Sequence, residues 1–490
     1  MRNFILTVGL VFFVGIVLKA QNAEDALRYS STFLTGTARY TGLGGAYGAV
    51  GADFTSLSSN PAGIGLYKKS DFSITPMLSF TGAKSAYNGM SLDDGSNNFA
   101  LGNVGIVLSV APVDRLDRLP IKNFQFGFGL NRLKDFNNRV QIQGINSQNS
   151  LLDAYLEYSN GLNPEGLNNF DTRLAFDTYL IDTIPGQSNF PYLDAYDYLG
   201  GFTSTLQRKS IETDGSMNEW VLSGGLNVSD KFYFGATLGF PYIRYFRTSS
   251  FTEINQNTEK DLKEFTLRES LETKGSGFNI KVGAIAKVMP WLRLGLAYHS
   301  PSWYNNMHDG WNSGIKAYYK NPDYYYYANS PSGNYDYKLQ TPWRTIASAA
   351  FIIGNRGLVS LDWEYVDYSK AKLRASDDGF FDKNADIKNY FTNANNIRLG
   401  TEWRLGLMQV RGGYSNYGSP FKSGINDAKL QTYSAGFGFR AEEYYFDAAF
   451  AWSKSSSKYF LYGTENVVVN PVKNDFENFN LMFTVGYRFE

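Results

Sequence analysis

The chain has 490 residues, with 46 basic and 46 acidic side chains, two histidines and no cysteine. The balanced charge gives no electrostatic support for binding nucleic acid or an acidic substrate, so no nucleic-acid partner is expected. The lack of cysteine excludes a disulfide framework.

Residues 1–20 have the features of a secretory signal peptide. A basic start at Arg2 precedes an apolar run over residues 4–18, and Ala20 offers a small residue for cleavage. The run is shorter than the roughly 20 residues of a membrane-spanning helix, which disfavours the alternative of an uncleaved anchor. We therefore expect export, and a mature chain that begins near Gln21.

Residues 21–69 are rich in glycine and alanine and are interpreted as a plug, named the hatch here. Such small residues cannot build a core of their own, so the segment is expected to pack inside another structure. Within it, Asn60-Pro61-Ala62-Gly63 predicts a tight turn. Pro61 fixes its own φ and biases Asn60 away from helix, and Gly63 is free to adopt a positive φ.

Residues 70–490 alternate between apolar and polar or small side chains with a period of two, which is typical of β-strands. On the last strand the apolar side consists of Phe479, Leu481, Phe483, Val485, Tyr487 and Phe489. The opposite sides are dominated by glycine and small residues, as inside a barrel, and aromatic residues cluster at strand ends. A soluble β-sandwich also alternates, but it does not explain these two features.

The connections alternate between short and long, which is typical of an outer-membrane barrel. Short turns are predicted at 229–230, 289–290, 354–357, 405–406 and 441–443, and long outer loops at 133–216, 247–273, 301–340 and 370–394. We predict an all-β fold, a transmembrane antiparallel barrel of about 14 strands closed by pairing of the last strand with the first. The strands are expected near 71–81, 98–111, 121–132, 217–228, 231–246, 274–288, 291–300, 341–354, 357–368, 395–405, 408–416, 429–440, 443–454 and 477–489.

Two stretches carry a family resemblance. The Gly42-Leu-Gly-Gly-Ala-Tyr run, with Asn60-Pro61-Ala62 downstream, resembles the N-terminal hatch of FadL-type transporters of long-chain fatty acids and hydrocarbons in Gram-negative outer membranes. The segment Gly295-Leu-Ala-Tyr-His-Ser-Pro301 is similar to a barrel segment of that family. The resemblance extends over the mature chain, and the residues at the cleavage point and C-terminus suggest a Bacteroidetes-like member.

The resemblance implies a fourteen-stranded barrel with a small plug in the Gram-negative outer membrane. It also implies passive uptake of hydrophobic molecules, with exit sideways through the wall. The hatch residues expected to act in gating are Gly42, Gly44, Gly45, Asn60, Pro61, Ala62 and Gly63. In that family, loops at the positions of 247–273 and 301–340 form an outer capture groove.

The residue types give no support for an enzyme, a cofactor or a metal site. His299 and His308 are the histidines available, and no metal-ligand spacing is present. His299 precedes Ser300, but neighbouring residues of a strand point to opposite faces and cannot pair. His299 is instead expected to face the lumen. Lumen charges of both signs are expected to neutralise one another and anchor the hatch, namely Lys281, Lys287, Arg293, Asp362, Glu364, Arg398, Glu402, Arg404, Asp447 and Arg488.

The outer loop 301–340 is the candidate site of ligand capture, because tyrosine and tryptophan combine apolar area with polar tips. The candidate residues are Trp303, Tyr304, Trp311, Tyr318 and Tyr319. A self-packed loop or an aromatic belt would explain the same composition.

Two functions remain open. The first is a channel for hydrophobic compounds, with membrane lipids and the ligand as partners and the assembly machinery recognising the C-terminal strand. The second is a non-transporting barrel, similar to FadL-like shuttle components of protein secretion, that binds a partner protein through 133–216. Helical pieces are predicted in that insertion at 150–158 and 193–199. A general porin ranks third, because a plug has no purpose in an open pore.

Overall fold

A computed structural model describes residues 22–33, 35–110, 120–187, 189–198, 201–320, 324–376 and 378–490. The predicted signal peptide lies outside these ranges, as does the connection 111–119. No helix in the described ranges combines the length and apolar character needed to cross a bilayer.

In the described residues, 14 antiparallel strands form a closed barrel. The last strand pairs with the first over the register from Ser70–Phe489 to Ala86–Lys473, as predicted. In chain order the strands are β1 Ser70–Tyr87, β2 Met90–Val110, β3 Ile121–Asp135, β4 Thr205–Val228, β5 Phe232–Asn255, β6 Leu262–Met289, β7 Leu292–His299, β8 Arg344–Ile353, β9 Gly357–Asp367, β10 Asn393–Leu405, β11 Met408–Tyr417, β12 Leu430–Arg440, β13 Tyr444–Tyr459 and β14 Val472–Phe489.

A belt of exposed apolar side chains surrounds the barrel on its outward face. On β5, Phe232, Phe234 and Phe240 are 45–50% exposed, whereas Tyr233 and Thr237 between them are buried toward the lumen. Aromatic residues border this belt near the short turns and at its opposite edge, for example Trp291, Trp403 and Tyr444 on one side and Trp343 and Trp363 on the other. The arrangement is that of a lipid-facing band with two aromatic girdles.

Above this band the strands continue further than predicted. The predicted strands 71–81 and 98–111 are the lower halves of one hairpin, closed by a tight turn in which Asn88 and Gly89 have φ of 45° and 82°. The segment 247–273 is likewise the top of the hairpin formed by β5 and β6. In these upper strand segments the outward side chains are polar and the inward side chains are apolar. The alternation is therefore the reverse of that in the lipid-facing band, and it does not predict a membrane-spanning strand.

The segment predicted as an outer loop at 301–340 also contains strands. Strand Trp303–Tyr319 prolongs β7 and pairs with the upper part of β6, and Gly333–Gln340 leads down into β8. A short strand Tyr325–Asn329 pairs with Trp303–Tyr319, and Lys372–Arg374 pairs with Gly333–Gln340.

The predicted insertion 133–216 consists of strand extensions and a compact unit over the outer mouth. Strand Asn138–Asn146 pairs with the upper half of β4. Residues 147–204, called the cap from here on, contain a 3₁₀ turn Pro164–Gly166 and the short hairpin Ile181–Thr183 with Tyr192–Asp194. The helix predicted at 150–158 is confirmed as Leu151–Ser159, but 193–199 begins as strand before Ala195–Tyr198 becomes helical.

Residues 22–33 and 35–69 lie inside the barrel, in accordance with the predicted plug. The helices in the described residues are α1 Ala23–Ser30, α2 Ala38–Gly42, α3 Ser56–Ser59, α4 Leu151–Ser159, α5 Thr172–Asp177, α6 Ala195–Tyr198 and α7 Phe381–Tyr390, with further 3₁₀ turns at Pro61–Leu66 and Tyr368–Lys370. Helix α1 packs in the upper lumen beside α7, and the rest of the hatch fills the lumen at the height of the lipid-facing band.

Candidate functional site

Glycines on the inner face of the wall form sockets for the hatch. A Cβ at Gly283 would overlap the Asn60 side chain, and one at Gly235 would overlap the carbonyl of Pro61. Gly105 likewise makes room for the ring of Phe54. The glycine-rich inner faces of the strands are therefore complementary to one particular plug, and they do not line an open pore.

Asn60 is the centre of the predicted turn and is fully buried. Its Nδ2 donates to the carbonyl of Gly48 at 2.6 Å, and its Oδ1 accepts from the backbone N–H of Ala62 at 3.1 Å. Pro61 occupies the first position of the 3₁₀ turn Pro61–Leu66, where its missing N–H costs nothing. The predicted positive φ of Gly63 is wrong, because Gly63 lies inside this turn.

Three further predicted hatch glycines either adopt a positive φ or allow the hatch backbone to lie close to the barrel wall. Gly44 and Gly45 have φ of 63° and 73°, in the left-handed region that favours glycine. A Cβ at Gly44 would lie 2.8 Å from the backbone nitrogen of Tyr414, and one at Gly42 would lie 3.2 Å from the Cα of Gly436. The hatch backbone therefore lies directly against β11 and β12.

Buried ion pairs hold the hatch on one side. Arg39 donates to both carboxylate oxygens of Glu402 at 2.8 and 2.9 Å, and Arg411 donates to Glu402 at 2.8 Å and to Asp447 at 2.7 Å. Asp362 accepts from the backbone N–H groups of Tyr47 at 3.0 Å and Gly48 at 2.9 Å. This agrees with the anchoring role predicted for lumen charges of both signs.

A second set of contacts holds the other side. Ser58 donates to Glu219 at 3.0 Å, and Glu219 is paired with Lys281. The Nε2 of His299 lies 2.7 Å from the carbonyl oxygen of Ser59, so His299 faces the lumen as predicted. Two of the predicted charges contribute less, since Lys287 is exposed and the Arg404 side chain is half exposed. The described ranges contain no cluster of three or more acidic or histidine side chains placed to hold a metal ion.

A cavity of about 80 Å³ lies between α1, the hatch and the wall. Its lining is polar and includes Glu219, Lys281 and Arg344. Within the described structure, Ser59 Oγ and Arg398 Nε on this lining have no hydrogen-bond partner. A benzene molecule occupies a cavity of about 150 Å³, so this cavity is too small for an aromatic hydrocarbon until the hatch or α1 moves.

The same cavity touches an irregularity of the wall, called the seam here and formed by residues 300–302 and 341–343. His299 pairs with Arg344 and Trp303 with Gln340, so Pro301 stands opposite Pro342. Neither proline has an N–H, and the usual ladder hydrogen bonds are missing on this rung. On the neighbouring rung the Thr341 N–H donates to the carbonyl of Ser302 at 3.1 Å, and the Ser302 N–H donates to the hydroxyl of Thr341 at 2.8 Å. The rings of Tyr298 and Trp343, with centroids 6.1 Å apart, cover the outside.

The five predicted capture residues do not form one surface. Successive residues of the strand Trp303–Tyr319 point to opposite sides. Trp303 lies on the outer girdle with its ring centroid 5.0 Å from that of Phe278, and Tyr318 also faces outward. Tyr304 is buried in the lumen, Trp311 packs on Phe170 of the cap, and Tyr319 donates to the carbonyls of Thr178 and Tyr179. The candidate residues therefore face different sides of the wall, and ligand capture by any of them stays a prediction.

The cap is fastened to the wall through Glu253. This buried carboxylate accepts from Ser150 Oγ at 2.6 Å, from the N–H of Leu151 at 2.8 Å and from Gln207 Nε2 at 2.9 Å. Ser150 and Leu151 begin helix α4, whose positive dipole end therefore meets the acid. Burial raises the pKa of Glu253 to about 7, and that of Asp194 in the cap likewise to about 7.

Solved structures with the same architecture come from FadL-type proteins. A Pseudomonas aeruginosa FadL homologue aligns with a TM-score of 0.56 at 13% identity, over 94% of this chain and 99% of the other. The Pseudomonas putida toluene transporter TodX gives 0.52 at 11%, over 93% and 98%. The Ralstonia pickettii toluene transporter TbuX gives 0.50 at 14%, over 93% and 98%. The chain has the FadL-type fold. No family model and no curated protein matches the sequence.

Within the FadL-type fold, sequence reasoning found the hatch but missed the seam and the cap anchor. The sequence contains a signal for the seam, because Pro301 and Pro342 interrupt strand patterns and proline is unfavourable inside a sheet. The cap anchor also had one, because Ser150 followed by Asp153 is a helix-capping box. The partner of that helix, Glu253, lies 103 positions further along the chain and carries no local signal.

Proposed function

We propose that the protein is a channel in the outer membrane of a Gram-negative bacterium for passive uptake of hydrophobic compounds, such as fatty acids or aromatic hydrocarbons. The observation that carries the proposal is a FadL-type barrel whose hatch is seated in wall glycines and held by buried hydrogen bonds and ion pairs. Two proteins with the same fold are described as toluene transporters, which supports the same substrate class here.

The proposed route leads past the cap into the upper lumen and leaves sideways through the seam. The cavity beside the seam is too small for the ligand, so passage requires a second packing of the hatch. A ligand can populate that packing only if it binds it more tightly than the closed one. Asn60 links the hatch turn to Gly48 and approaches the wall at Gly283, and is therefore placed to couple hatch movement to the wall.

Uptake by Asn60→Ala and Pro61→Ala variants tests this proposal. Both are expected to insert normally and to change the rate at which cells accumulate radiolabelled toluene or oleate. Asn163→Ala is the matched control, because Asn163 caps an equivalent Asn-Pro turn in the cap, outside the hatch. Wild-type uptake by both hatch variants would contradict a gating role for the turn.

A second candidate is a non-transporting barrel that binds a partner protein in secretion. It is favoured by exposed apolar side chains on the cap, with Tyr198 at 79%, Tyr179 at 56% and Leu162 at 43% exposure. If the protein acts in secretion, replacing these three residues by serine should abolish secretion. If it is an uptake channel, the same replacement should leave hydrocarbon uptake unchanged.

A further inference from the structure

The outward face of the wall above the lipid band carries a cleft that the proposed uptake route does not use. The upper parts of β4, β5 and β6 continue there into the strands Trp303–Tyr319 and Tyr325–Asn329. The cleft has a volume of about 880 Å³. That volume lies within the range of about 300–1,000 Å³ that is typical of ligand sites.

One side of the cleft is a rim of tyrosines. Tyr318 stands opposite Tyr325, and Lys316 stands opposite Tyr327, so all four side chains share the outward face. The Nζ of Lys316 lies 4.6 Å from the ring centre of Tyr318 and 5.2 Å from that of Tyr325, which orients the rings. Tyr325 and Tyr327 remain 52% and 67% exposed. The rim therefore offers aromatic surface to a ligand.

The floor of the cleft is made of small polar side chains. Ser210, Ser250 and Arg268 lie in register across three strands, and the hydroxyls of Thr252 and Thr266 in the adjoining row are 2.9 Å apart. The lining carries three acidic and two basic side chains, Glu212, Glu264 and Glu269 against Arg268 and Lys316, so it has no excess of positive charge.

This combination has the chemistry of saccharide recognition. The C–H face of a sugar ring packs on an aromatic ring, and its hydroxyls bond to hydroxyl, carboxylate and guanidinium groups. An acyl chain would leave the polar floor without hydrogen bonds, which is unfavourable. A strongly anionic ligand would need an excess of positive charge, which the lining does not supply.

The position of the cleft indicates the source of the sugar. Arg268 lies ten positions above Phe278 of the outer girdle on β6, which is about 33 Å along the strand and less in height because barrel strands tilt. The cleft opens sideways, in the same direction as the lipid-facing side chains. We propose that it binds the uncharged sugar chain of lipopolysaccharide in the surrounding leaflet. The inference rests on the proposed outer-membrane location but not on uptake.

Binding of delipidated polysaccharide to the purified full-length protein in detergent tests the inference. The probe is the sugar chain released by mild acid from smooth lipopolysaccharide of the source bacterium, titrated calorimetrically. The variant with Tyr325→Ala and Tyr327→Ala should bind about tenfold more weakly or worse. Tyr324→Ala is the matched control, since Tyr324 is 54% exposed but does not line the cleft. Heat-modifiable migration confirms that each variant is folded.

Three results would overturn the inference: no binding of the polysaccharide by the wild type, equal binding by the double variant, or equal affinity for smooth and rough lipopolysaccharide. Binding of a purified surface protein that requires Tyr325 and Tyr327, without polysaccharide binding, would assign the cleft to a protein instead. Hydrocarbon uptake by the double variant is expected to equal that of the wild type. If the wild-type protein bound the polysaccharide but did not take up hydrocarbon, the result would contradict the proposed channel and leave the assignment of the cleft intact.

Discussion

Glu253 makes docking of the cap dependent on pH. Its pKa is about 7 in the docked state because burial disfavours the carboxylate, against 4.5 for an ordinary glutamate. A raised acid pKa stabilises the docked state fully below about pH 4.5, and this contribution is lost as the pH rises through about 7. Asp194 acts in the same direction, and the nearby Asp153 adds to the effect on both acids. Protease cleavage within residues 147–204 should therefore increase from pH 4.5 to 8.

The Glu253→Gln variant should weaken this pH dependence, because the amide keeps the shape of the side chain without a titrating group. Part of the slope should remain through Asp194. Glu259→Gln serves as the control, since Glu259 lies in the next outer turn with its side chain 87% exposed. Cleavage that increases toward acid pH would contradict the assignment.

Alanine substitutions at Gly44 and Gly406 separate the cost of a positive φ from the cost of placing a Cβ against the barrel wall. Gly44→Ala places a Cβ at 2.8 Å from the Tyr414 nitrogen in a residue with φ of 63°. Gly406→Ala has the same conformation, with φ of 65°, but meets nothing within 4 Å. The control should cost about 1 kcal/mol and Gly44→Ala clearly more, about 2–4 kcal/mol. The measurement is the temperature at which the folded, heat-modifiable barrel is lost. Equal destabilisation of the two variants would mean that the hatch shifts to make room for the added methyl group at Gly44.

At the scale of elements, strand ends near the short turns could be predicted and outer strand ends could not. Ser229, Asp230 and Gly406 mark the short turns by residue type, and β5 and β11 begin within one residue of the predicted positions. Above the lipid band the apolar side chains change from the outward to the inward face. The Asn88-Gly89 hairpin was a missed local signal. The seating of the cap depends on contacts between distant residues, which a single sequence does not reveal.

The seam is testable as an element because the chain has no cysteine of its own. Ser302 and Thr341 stand opposite each other across the two strands. Cysteines at both positions should form a disulfide on oxidation, and hydrocarbon uptake should then fall severalfold and recover with a reductant. Thr432→Cys with Ser453→Cys is the matched control, since these residues also oppose each other, in β12 and β13. Unchanged uptake in the oxidised seam variant would exclude this exit.

For the whole molecule, the cap and the hatch are two closures in series. The cap shares an apolar cluster with the wall at the outer mouth, including Leu152, Leu174 and Phe251. The hatch fills the lumen below it at the height of the lipid band. A small solute that crosses the barrel must pass both closures. When one closure is deleted, the other should still limit the rate at which the solute crosses.

Single-channel conductance in planar bilayers should therefore rise in a fixed order. The wild type and a variant without residues 150–198 should conduct little, because the hatch still fills the lumen. Deletion of residues 22–65 should give a leaky barrel with intermittent conductance, since the cap remains and moves. Removal of both segments should give a large, steady conductance, provided that the barrel still migrates as a heat-modifiable species. If deletion of the cap alone gave the large conductance, the hatch would not be a closure, and the proposed gating by Asn60 would fail with it.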